Sequence, residues 1–97
     1  MDARVFEKSD AVAWRVVDGH AVVISLEDGV MHDFNETATA IWTRVVEGKP
    51  VHDIVSSVRE EFEIDEGEAA ADVEAFLAQL SAAGLVVERS MTGGGRP

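Results

Sequence analysis

At Asn35 the apolar residues of this chain change their spacing, from a period of two to every third or fourth position. Ahead of that point, residues 12–17 (Val-Ala-Trp-Arg-Val-Val) are β-branched or aromatic at most positions, and Asp18-Gly19 follows them. Asp-Gly is a strong hairpin signal, because a type I′ turn needs positive φ at both central positions. Residues 20–26 supply the returning strand, Glu27-Asp28-Gly29 a second turn, and residues 30–34 a short third strand. Beyond Asn35, Ala38, Ile41, Trp42, Val45 and Val46 stand at helical spacing. Strands and helices kept apart along the chain predict an α+β fold, with the helices packed on an antiparallel sheet.

Punctuation residues divide the helical part. Asn35 is a good N-cap, Gly48 closes the first helix, and Pro50 suits the start of the second. That second helix carries Val51, Ile54, Val55, Val58 and Phe62 on one face. Asp65 and Glu68 have the spacing of a capping box and open a third helix over about residues 66–83, which Gly84 stops. Its expected core face is Ala69, Val73, Phe76, Leu77 and Leu80. Leu85-Val86-Val87 is expected to return to the core in extended form, residues 1–10 to pack loosely, and residues 90–97 to form a disordered tail. The expected architecture is a three-stranded antiparallel sheet followed by a three-helix winged-helix-turn-helix unit, in a single domain over residues 1–89. Both faces of the hairpin are apolar: Val12, Trp14 and Val16 on one, Ala13, Val17, Val22 and Ile24 on the other. Alternation does not choose between them, and either the N-terminal segment or a second subunit in a homodimer would cover one of them.

Several function classes are disfavoured. With no cysteine among 97 residues, thiolate metal sites and thiol catalysis are excluded. His20, His32 and His52 lack the spacing of a helical metal pair, and no serine lies in a Gly-x-Ser-x-Gly turn. The Gly93-Gly94-Gly95 run precedes no helix that could hold phosphate. No enzymatic activity and no cofactor are therefore expected. Nothing resembles a signal peptide or a membrane span, which points to the cytoplasm. A formal charge of −11 opposes binding to nucleic acid or to an anionic membrane. The third helix would be the DNA reader of such a fold, yet it has no Lys or Arg; it carries Glu66, Glu68, Asp72 and Glu74, with Gln79 its one candidate reader.

Peptide binding remains. A meander has open edges, and an edge strand offers unpaired main-chain groups that an extended peptide can complete. The third strand is short and has no lysine or proline to block pairing. Ala71, Ala75, Ala78 and Ala82 form a small-residue stripe on the third helix that would let another chain approach, though alanine also fills exposed helical positions simply as a good helix former.

Phe34-Asn35-Glu36-Thr37-Ala38, then Ile41-Trp42 and Gly48, resembles the "Leu-Asn-x-Thr-Ala…Ile-Trp…Gly" signature of PqqD-like proteins. Ile54, Phe62, Asp72-Val73, Phe76-Leu77, Leu80 and Gly84-Leu85 fall where that family has its second and third helices, so the resemblance covers about residues 12–88. It implies a non-catalytic recognition element that binds the leader of a ribosomally made precursor peptide by strand addition. The peptide would lie between the third strand and the third helix and be presented to a modifying enzyme, commonly a radical SAM enzyme. Carried over, the binding residues are Val30, Met31, His32, Asp33 and Phe34, facing Asp72, Ala75, Phe76 and Gln79. Members serving pyrroloquinoline quinone synthesis usually have Lys before Leu-Asn; Asp33 stands there in this chain, which implies a less acidic or basic leader and a different product. The other reading of the same acidic fold is a regulatory protein–protein adaptor that does not touch DNA.

Overall fold

A computed structural model describes residues 2–89. Its elements are β1 (Val5–Lys8), β2 (Val12–Val17), β3 (His20–Ser25), β4 (Met31–Asp33), α1 (Glu36–Val46), α2 (Val51–Phe62), α3 (Glu66–Ala82) and β5 (Val86–Arg89). The predicted meander is present as an antiparallel sheet in the order β2-β3-β4. Its hairpin turns where expected, with Asp18 at φ 54° and Gly19 at φ 80°, the paired positive values of a type I′ turn. The third strand is shorter than the predicted 30–34 by one residue at each end: Phe34 leads into the Asn35 cap of the helix that follows, and the Val30 N–H donates to the Asp28 carboxylate at 2.9 Å. That bond is the main reason the Asp28 carboxyl sits below its ordinary pKa.

The helices begin and end largely as the sequence dictates. Asn35 and Asp65 cap α1 and α3, their side chains accepting from the Ala38 and Glu68 N–H groups at 2.8 Å. α2 has no side-chain cap. The carbonyls of Arg4 and Asp2 accept from the Val51 and His52 N–H groups instead, each at 2.8 Å. The N-terminal segment thereby satisfies two donors that a helix start leaves free.

That segment corrects the expectation of loose packing. Residues 5–8 are a strand paired antiparallel with β5, in the register Val5↔Arg89 to Lys8↔Val86. Val5 and Phe6 are buried, as are Leu85 and Val86 of the returning segment. The two chain ends thus form a second, two-stranded sheet. Residues 90–97, expected as a tail, lie outside the described residues.

One continuous core joins both sheets to the helices, running from Phe6 through Val12, Val23, Trp42, Ile54, Val73 and Leu80 to Val86. Trp42 is fully buried at its centre. The core chooses the Val12–Trp14 face of the hairpin, leaving Ala13, Val17, Val22 and Ile24 on an outer face bounded by Met31.

Candidate peptide-binding site

The outer border of β4 is open among the described residues, since the sheet ends there. Bonded and non-bonded residue pairs alternate along antiparallel strands. The Ser25 N–H donates to the Val30 carbonyl at 3.0 Å, and the Phe34 N–H to the Ala21 carbonyl at 2.9 Å. In the register Val23↔His32, those bonds make Val30, His32 and Phe34 the residues whose main chain faces β3. Met31 and Asp33 therefore turn their N–H and C=O groups to the open border.

Beside that border lies a groove between β4 and α3. Two adjoining hollows of about 290 and 350 Å3 share Asn35, Ala38, Phe76 and Gln79. Thr37, Ile41, Asp72 and Ala75 complete the first, and His32, Asp33 and Phe34 the second. The floor is aromatic: Phe76 meets Phe34 edge to face with centroids 5.0 Å apart. Phe34 meets Trp42 at 5.7 Å, and Trp42 meets Trp14 at 6.0 Å. Four rings thus connect the groove to the interior in edge-to-face contacts, the geometry that ring quadrupoles favour.

Phe34 is held firmly at the centre of this arrangement. Its carbonyl accepts from the Thr39 hydroxyl (3.4 Å) and lies 3.0 Å from His20 Nδ1, a contact that places the proton on Nδ1. The Thr39 hydroxyl also accepts from the Ala21 N–H at 2.8 Å, tying the start of β3 to the first turns of α1. Such a fixed strand end suits a template for pairing, because little order remains to be imposed on it when a ligand arrives.

Of the residues expected at the site, His32, Asp33, Phe34, Asp72, Ala75, Phe76 and Gln79 line the groove. Val30 lies before the strand, and the Met31 side chain points to the outer face, where it borders a shallow hollow with Ile24 and Val22. Their place at the border is through the main chain. Asn35, Thr37, Ala38 and Ile41 also contribute, although their spacing signalled only a helix start and a core stripe. Of the alanine stripe, Ala75 alone lines these hollows. Asp72 stands on the α3 wall; among the described residues neither Asp72 nor Asp33 has a basic partner within ion-pair distance.

A larger hollow of about 430 Å3 lies on the opposite flank of α3, against α2 and the N-terminal segment. Its charged groups are already engaged with one another: Arg4 with Asp2 and Glu74, and Arg59 with Glu66. Unlike the β4 groove, it is lined by no strand residue. Among the described residues no three His, Asp or Glu side chains are placed to hold a metal ion, and no helix is long and apolar enough to cross a membrane.

The family model for coenzyme PQQ synthesis protein D (PqqD) matches residues 20–86. Two solved structures are similar. The TbiB1 protein in complex with the TbiA(beta) leader peptide is 28% identical, with a TM-score of 0.79 over 82% of this chain and 93% of that one. Lasso peptide synthetase B1 complexed with the leader peptide is 22% identical, with a TM-score of 0.78 over 84% of this chain and 96% of that one. No curated protein sequence matches the chain.

Proposed function

Since the chain belongs to the PqqD family, we propose that it is a recognition element that binds the leader of a ribosomally made precursor peptide and presents it to a modifying enzyme. The observation that carries this reading is the juxtaposition at β4: outward main-chain groups on Met31 and Asp33, directly beside a groove floored by Phe34 and Phe76. An added strand would gain main-chain bonds whatever its sequence, while its alternate side chains would be sorted by the groove. The similarity to TbiB1, a structure with a bound leader peptide, supports the same use of this fold.

In this reading residues 1–89 act as one domain that performs no chemistry and needs no cofactor; the reaction belongs to the enzyme that receives the peptide. That enzyme is proposed to be a radical SAM enzyme, a part of the reading that rests on the family resemblance. Asp72 on the groove wall and Asp33 on the outer face of the border, neither with a basic partner among the described residues, suit a leader that is neutral or basic along β4. Cytoplasmic residence follows as part of the same proposal, because the precursor would be met where it is translated.

NMR titration of the labelled chain with the leader of a precursor peptide encoded beside it tests the reading. Amide shifts should concentrate at residues 30–34 and 72–80, with new exchange protection at Met31 and Asp33. No binding at high micromolar peptide, or shifts confined to the opposite flank of α3, would refute it. Co-purification of the tagged chain with a radical SAM enzyme tests the partner separately.

A further inference from the structure

β4 has two faces, and a strand added to its border inherits both. Directly opposed residues on neighbouring strands project to the same side of a sheet. A ligand residue opposite His32 therefore points with His32 toward the groove, over Phe34 and Phe76. Its two neighbours, opposite Met31 and Asp33, point to the outer face. There they would extend two cross-strand rows, Ala13–Ile24–Met31 and Arg15–Val22–Asp33. The first row is apolar throughout and ends on Met31, which is 63% exposed and so has area left to cover. The second ends on the exposed carboxylate of Asp33, which has no basic partner within ion-pair distance among the described residues.

We propose that the ligand strand is read on both faces, as three consecutive residues: an apolar one opposite Met31, an apolar one opposite His32 that enters the groove, and a Lys or Arg opposite Asp33. The proposal rests on the strand-addition reading and adds a partner class to it, a leader segment with a basic residue beside an apolar pair. The groove residue supplies buried contact, and the flanking two fix the register. A ligand slipped by one position would put its basic side chain over the aromatic floor and an apolar one against Asp33. A charge of −11 on the whole chain favours the same cationic segment at long range.

The test uses the full chain and, as probe, a displayed library of random peptides, followed by calorimetry on a selected peptide synthesised with Lys, Gln or Glu at each position. Selected peptides should share the apolar–apolar–basic triplet. A cross-strand ion pair changes affinity by roughly two- to fivefold, and a like-charge pair by a similar factor in the other direction. Changing the basic residue to Glu should then weaken binding about tenfold, the product of the two. Asp33→Lys should invert that preference, and Asp33→Asn should abolish it; both replace an exposed side chain and leave the core untouched. If peptides shift the Met31 and Asp33 amides yet bind equally well with Lys or Glu at every position, the two-faced reading is overturned while strand addition stands. If no selected peptide moves those amides, strand addition itself fails and this proposal fails with it.

Discussion

At the residue scale, Phe34 and Phe76 divide one contact between two duties. Phe34 is buried and touches both Trp42 and Phe76, whereas Phe76 is only partly buried and faces the groove. Phe34→Ala should cost about 3–5 kcal/mol of stability, the usual loss for emptying a core aromatic site. Phe76→Ala should cost clearly less in denaturant unfolding but weaken peptide binding about tenfold, as expected of a contact residue worth more than about 1 kcal/mol. Equal losses of stability for the two variants would contradict this division. Glu63 is the other residue under particular constraint. It ends α2 at φ 54°, a left-handed position that disfavours any side chain with a Cβ. Glu63→Gly should stabilise the protein by about 1 kcal/mol, read as a higher urea midpoint at unchanged slope.

At the scale of elements, the border of β4 and the tether on α2 can each be altered without touching the core. The Met31 N–H faces the open border, so Met31→Pro removes no bond to β3 and blocks pairing only on the outside. The variant should keep its thermal transition near that of the parent and lose peptide binding; retained affinity would place the ligand elsewhere. The tether depends on Asp2, whose carboxylate accepts from the Arg4 guanidinium and is thereby held below its ordinary pKa of 3.8. A depressed carboxyl contributes stability above its unfolded value and loses it as pH falls through the folded one. The pair is substantially exposed to solvent, so its effect on global stability is small. The local effect should be visible: as pH falls below the ordinary carboxylate range, exchange at the Val51 and His52 amides, which bond the carbonyls of Arg4 and Asp2, should rise before the sheet opens.

At the scale of the whole molecule, the formal charge of −11 sets how a peptide arrives more than how well it fits. Association with a basic leader should slow as salt rises, since screening shortens the reach of the field to about 8 Å at physiological ionic strength. Dissociation should change much less, because it is governed by main-chain bonds and groove contacts. Stopped-flow measurement on Trp14 and Trp42 fluorescence would separate the two rates, as the Phe76–Phe34–Trp42 contacts connect the groove to both indoles. A salt effect confined to dissociation would contradict the steering account.

The alternation before Asn35, the Asp18-Gly19 turn and the caps at Asn35 and Asp65 act over a few neighbouring residues, so the sequence alone determined the meander and the starts of α1 and α3. Tertiary structure decided whatever depends on partners distant in the chain. Val5–Lys8 becomes a strand because β5 lies beside it, and α2 begins without its own cap because the Arg4 and Asp2 carbonyls reach it. Trp14 packs inward, and Val22 and Ile24 face outward, because helix α1 can cover only one side of a hairpin whose two faces are almost equally apolar. Which of Val30–Phe34 offer main chain and which offer side chains was likewise invisible in one dimension. It follows from the register against β3, a long-range choice that local spacing does not encode.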